Sequence, residues 1–143
     1  SGHENRRRYF VCAFDGVFCE DWDGQEQDED PTYVDFITNA RPLLLPTAPV
    51  KAICTGRLER YRDVTVAWLE KHHVQYEELH MHPASKASYR RAGTPRHAVE
   101  IKAHLYKDAR FNLFVESHPK HAKRIAELTG KPAIATDTMA LFQ

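Results

Sequence analysis

Five short apolar runs, each stopped by a polar or glycine-containing turn, constrain this chain more than any other feature. They are Tyr9–Phe14, Val50–Cys54, a weaker one around Leu79-His80-Met81, Phe111–Val115 and Ala133–Thr136. Runs of this length and bounding read as buried strands. Between them lie segments with helical spacing. Asp30-Pro31 opens one that reaches about Ala40, with Asp as N-cap and Pro at the first helical position. Tyr61, Val64, Thr65, Trp68 and Leu69 form one apolar face. Thr94-Pro95 opens a third helix carrying Ala98, Ile101, Lys102 and Leu105, and Ala122, Ile125, Ala126 and Leu128 mark a fourth that Gly130 closes. Strand and helix alternate, and the strands are apolar throughout. The pattern predicts an α/β fold: a mainly parallel, five-stranded sheet with helices on both faces in three layers.

The chain has 143 residues, enough for one domain to bury most of its apolar surface without a disulfide or metal staple. No second-domain boundary or internal repeat is visible. The 20 Lys and Arg balance the 20 Asp and Glu, which argues against bulk nucleic-acid binding through excess positive charge. No apolar run approaches the length of a membrane span, so no membrane partner is expected. Cys12, Cys19 and Cys54 lack CxxC spacing, and Cys12 and Cys54 lie in apolar runs, so they read as small hydrophobes in a reducing, cytoplasmic setting. Residues 1–8, starting Ser-Gly-His, read as a cloning remnant or a disordered lead. From Glu20 to Asp30, seven of eleven residues are acidic, which reads as a solvated flap.

Parallel sheets bind ligands outside the carboxyl ends of their strands. The residues to weigh are therefore Asp15-Gly16, Thr55-Gly56-Arg57, His80 to Pro83 and Glu116-Ser117-His118. Each has an ordinary structural reading too. Asp15-Gly16 makes a turn for local reasons. Thr55 suits a helix N-cap, and Arg57 then falls in a first helical turn, where the dipole disfavours a cation. Lys102 has the solvated reading of most lysines. Glu116 follows an apolar strand, where an acid needs a partner or a metal. His118 reads as a helix-start residue. His80 and His82 share a strand face without a third ligand, and His72-His73 suit a helix end as imidazolium.

Phe14-Asp15-Gly16-Val17, Thr55-Gly56-Arg57, Lys102 and Glu116 together resemble the four motifs of the haloacid dehalogenase (HAD) superfamily, in order, from about Tyr9 to Leu141. The stretch from Ala40 to Pro83 is most similar to HAD domains found with phosphoribosyltransferases in bacteria and phages. More distantly, the chain resembles the phosphatase domain of polynucleotide kinase-phosphatases. The resemblance implies a Rossmann-like HAD core over residues 9–143, with a small acidic cap insertion at about 18–49. It implies a hydrolase of phosphomonoesters that works through an aspartyl-phosphate. The first Asp of the first motif attacks phosphorus, and the second moves the proton. Thr55, Gly56, Arg57 and Lys102 would bind the phosphoryl group, and Asp15 and Glu116 would ligate Mg²⁺.

The departure from that pattern is Ala13. It stands in the nucleophile position, and a methyl group neither attacks phosphorus nor ligates a metal. The chain as written is expected to be inactive. An Asp replaced by design is one reading, which the Ser1-Gly2-His3 start favours. A natural pseudoenzyme that binds a phosphate ligand or a protein is the other. The expected ligand is a small nucleotide or sugar phosphate, with a phosphoribosyltransferase domain as a candidate partner. A polynucleotide 3′ end ranks lower, since the acidic flap repels phosphates.

Overall fold

A computed structural model describes residues 9–22, 31–83 and 95–143. The lead segment 1–8, most of the acidic flap, and the capping positions Asp30 and Thr94 lie outside the described residues. The elements are β1 (Phe10–Cys12), α1 (Pro31–Asn39), β2 (Val50–Leu58), a 3₁₀ turn (Glu59–Tyr61), α2 (Arg62–Lys71), β3 (Tyr76–His82), α3 (Pro95–Tyr106), β4 (Leu113–Glu116), α4 (Pro119–Thr129), β5 (Ala133–Ala135) and β6 (Ala140–Phe142). The strands form one sheet in the order β3-β2-β1-β4-β5-β6. All neighbours are parallel except β5 and β6. The fold is thus mixed α/β and mainly parallel as expected, with six strands rather than five. β6 is too short to show a period in the sequence.

The chain runs outward from β1 through β2 to β3, then crosses to β4 on the other side. Right-handed crossovers therefore place the α1/α2 pair and the α3/α4 pair on opposite faces. The switch in direction falls between β1 and β4, the position at which open parallel sheets bind ligands. The core is continuous through both faces. Trp68, Phe14, Tyr33 and Ile37 fill one side, and Tyr106, Phe114, Phe111 and Ile125 contribute to the rest. Cys12, Cys19 and Cys54 are buried free thiols, and burial pushes all three up to about 12. They behave as core hydrophobes.

Two local expectations change. β2 does not stop at Cys54 but continues to Leu58, through a register irregularity against β3. Thr55-Gly56-Arg57 is therefore strand, and α2 begins five residues after Arg57. Thr55 caps no helix, and no helix dipole acts on Arg57 from its own segment. His72 stacks on Trp68 with ring centroids 4.2 Å apart, and desolvation, helped by Lys71, moves its pKa down. His72 is the C-cap of α2, at the helix end as its sequence position suggests. Gly130, at φ 69°, ends α4 in the left-handed conformation as the sequence indicates. Among the described residues no helix is long and apolar enough to cross a membrane.

Candidate functional site

The site is built where β1 leaves the sheet. The Ala13 amide donates to the Val115 carbonyl at 2.9 Å, which ties the end of β1 to β4 at the switch point. The chain then turns tightly: the Phe18 amide donates to the Phe14 carbonyl at 2.9 Å, and the Gly16 amide to the Cys19 carbonyl at 2.8 Å. Gly16 adopts φ +81°, and a Cβ there would lie 2.6 Å from Ser117 Oγ and 2.8 Å from Ser117 Cβ. Both the angle and the space require glycine. Its absence of a side chain lets the β1 turn lie directly against the end of β4. Ala13 is fully buried within this junction.

Asp15 projects from the turn into a set of donors supplied by β2. Arg57 Nη2 donates to Oδ1 at 2.7 Å, and Nε lies 3.2 and 3.1 Å from Oδ1 and Oδ2. Thr55 Oγ1 donates to Oδ2 at 3.5 Å and accepts the Arg57 amide at 3.2 Å. Arg57 is buried, with 1% of the residue exposed. Its Nη1 donates to Thr65 Oγ1 on α2 at 3.0 Å, Nη2 approaches Cys19 Sγ at 3.7 Å, and its guanidinium carbon sits 4.2 Å from the Phe14 ring centroid. Burial lowers the Arg57 pKa, but the charge and hydrogen bonds of Asp15 outweigh it and the net shift is upward. A planar, permanently charged fork is suited to such a clamp.

The second charge pair joins α3 to the end of β4. Lys102 Nζ on α3 donates to Glu116 Oε2 at 2.8 Å, with the two side chains 12% and 2% exposed. Glu116 Oε1 accepts the Ser117 amide at 2.9 Å. Burial lowers the Lys102 pKa, yet the Glu116 charge and hydrogen bond carry it above its ordinary value. Gly56 makes this reach workable. A Cβ there would come within 3.3 Å of the Ala98 Cβ, and Ala98 lies one helical turn before Lys102 on the same face.

The structure thus brings Ala13, Asp15, Thr55, Arg57, Lys102 and Glu116 to one end of the sheet. Gly56 contributes close packing of α3 on β2. His118 is the N-cap of α4, its Nδ1 accepting the Lys120 amide at 3.1 Å, as its helix-start reading predicts. His80 Nε2 pairs with Glu78 Oε1 at 2.8 Å. Three further residues near the site carry no motif of their own in the sequence. Thr65 was visible only as a hydroxyl on an apolar helix face, and Cys19 only as a thiol near an acid. Asp21 was absorbed into the acidic run. Its carboxylate lies near Gly16, with Oδ2 3.7 Å from where a Cβ would stand. Burial and the nearby Asp15 push its pKa up.

The donor set lacks the acid that a resident Mg²⁺ would draw on at position 13. Position 13 carries a methyl group, Asp15 is clamped by Arg57, and both Glu116 oxygens are already bonded to Lys102 and Ser117. Among the described residues no group of three or more His, Cys, Asp or Glu is disposed to hold a metal ion.

No family model matches the chain, and no curated protein matches it. Among solved structures, it is similar to a chain from the structure of the Pnkp1/Rnl/Hen1 RNA repair complex, with a TM-score of 0.60 and 17% sequence identity. The match covers 88% of this chain and 41% of that one, so this chain spans well under half its neighbour's length. At that identity the likeness is one of fold.

Proposed function

We propose that this is a phosphomonoester site of the HAD type whose nucleophile position is filled by Ala13, so that the chain as written binds phosphate ligands without hydrolysing them. The observation that carries this reading is the meeting of Ala13, the clamped Asp15 and the Lys102–Glu116 pair at the switch point. An arriving phosphoryl group would draw on the Lys102 ammonium and the Thr55 hydroxyl. Arg57 acts through Asp15. Nε and Nη2 bond that carboxylate and Nη1 bonds Thr65, so it serves as a positioning residue rather than a direct phosphate ligand. Asp15 would stand two residues from the nucleophile position, where a second carboxyl moves the proton in an active relative. With a methyl at position 13 no covalent bond to phosphorus forms, and no step beyond binding follows. Mg²⁺ would serve only a site whose acid at position 13 is restored.

The test is equilibrium binding of inorganic phosphate and of a small panel of nucleotide and sugar phosphates. Lys102→Ala should weaken binding about tenfold or more, since it removes a charge-assisted bond. Unchanged affinity in a folded variant would overturn the reading. A second ligand class is an RNA or DNA end bearing a phosphate. It draws on the fold shared with a component of an RNA repair complex. The zero net charge favours the small ligands.

A further inference from the structure

We infer that Asp21 is a specificity-determining residue of this site, selecting phosphomonoesters that carry a protonated amine close to the phosphate. The inference rests on the phosphomonoester reading above and adds the chemistry of the rest of the ligand.

Asp21 reaches the site from the segment that follows the β1 turn. Its Oδ1 accepts the Trp22 amide at 3.0 Å, which fixes the carboxylate plane. Oδ2 is left on the side of Gly16, 3.7 Å from the place a Cβ would occupy, where the Ser117 side chain also lies. The backbone that presents it is anchored, because Trp22 packs on Tyr33 and Phe36 of α1 with centroids 5.5 and 5.1 Å apart. Asp21 is close enough to Asp15, Lys102 and Glu116 for their charges to act on it. The two cations of the site are already committed: Arg57 to Asp15 and Lys102 to Glu116. Among the described residues Asp21 forms no ion pair.

A phosphate dianion entering beside Lys102 therefore meets a carboxylate that forms no ion pair among the described residues. Inorganic phosphate and plain alkyl phosphates suffer that repulsion. A ligand with an ammonium group two or three bonds beyond its ester oxygen brings its own counter-charge and donates to Oδ2. Asp21 is solvent-accessible, so the discrimination is modest, about fivefold, the upper range for an exposed charge pair.

The experiment compares ethyl phosphate with O-phosphoethanolamine by calorimetry at fixed ionic strength, using the full chain, Asp21→Asn and Asp21→Glu. The full chain should prefer phosphoethanolamine about fivefold. Asp21→Asn should bind the two equally, chiefly by gaining affinity for ethyl phosphate, and Asp21→Glu should retain a preference. A purely structural role would shift both ligands together. Equal binding by the full chain, or a preference that survives Asp21→Asn, overturns the inference while leaving phosphate binding intact. If neither ligand nor inorganic phosphate binds any of the three proteins, the phosphomonoester reading falls and the inference with it.

Discussion

Gly56 on β2 and Ala98 on α3 set the depth at which the helix docks, because a Cβ at Gly56 would stand 3.3 Å from the Ala98 Cβ. That spacing is tighter than ordinary van der Waals contact, so any side chain at position 56 pushes the helix outward. Lys102 lies one turn along the same helix, and its bond to Glu116 depends on the docking depth.

Gly56→Ala should therefore lower stability by about 1 kcal/mol, as mild overpacking does. It should also weaken phosphate binding through displaced Lys102. Ala98→Gly in the same chain should recover the binding, though not all of the stability, since glycine lowers helix propensity. A double-mutant cycle by urea unfolding and phosphate titration checks both. Additive effects would show that the two positions do not touch.

Gly16→Ala should be far more costly than Gly130→Ala. Both glycines have positive φ, but a Cβ at Gly16 collides with Ser117, whereas nothing lies within 4 Å at Gly130. We expect about 3 kcal/mol at Gly16, from strain and overpacking together. At Gly130 only the backbone term remains, about 1 kcal/mol. Thermal unfolding of the two variants decides, and equal losses would mean the β1 turn does not press on β4.

Arg57→Met removes the cation that holds Asp15 and leaves Thr65 without its donor. Breaking a buried pair by taking one partner costs about 3–5 kcal/mol. Asp15 keeps 24% of its side chain exposed, so the lower end is expected. Denaturant unfolding should show a loss near 3 kcal/mol. A loss below about 1 kcal/mol would place Arg57 in the class of surface pairs.

The pH dependence of Lys102 has a fixed sign. Its folded pKa lies above the ordinary 10.5 because the Glu116 charge outweighs burial. A cation whose pKa rises on folding contributes stability that is complete below the unfolded value and lost as pH climbs through the folded one. The stability gap between the chain and Lys102→Met should stay constant through neutral pH and narrow above 10.5. A gap that stays unchanged as pH climbs well above 10.5 would contradict the assignment.

Ala13→Asp should convert the chain into a Mg²⁺-dependent phosphatase, and the chain as given should release no phosphate. The added carboxylate supplies both a nucleophile and the missing metal ligand. Calorimetry should find no tight Mg²⁺ binding before the change. Asp15→Asn in that variant should abolish turnover, because an amide cannot move the proton. A folded Ala13→Asp protein that hydrolyses nothing on a broad phosphate panel would favour a site evolved for binding alone.

The sheet was legible because buried parallel strands announce themselves as apolar runs, and β1, β2, β4 and β5 all do. The extension of β2 was not, since Thr55-Gly56-Arg57 has the composition of a turn. Only Asp15, 42 residues earlier, makes a buried arginine tolerable inside a strand. Long-range neutralisation of this kind leaves no local pattern. Asp21 was hidden for the opposite reason: it is one of seven acids within eleven residues, and composition does not single out any of them. The association of Lys102 with Glu116 came from motif order, while the role of Gly56 required the packing of α3 itself.

The antiparallel return of β6 bears on how this protein avoids sticking to its own copies. A sheet that ended on β5 would offer the free amide and carbonyl row of three apolar residues, Ala133–Ala135. β6 pairs along that row and moves the border to a strand of only three residues. An edge so short is a poor template for further pairing. The opposite border, β3, is longer but carries Glu77, Glu78 and His80 among its seven residues. One edge is thus blunted by brevity and the other by charge, and neither invites growth of the sheet from molecule to molecule.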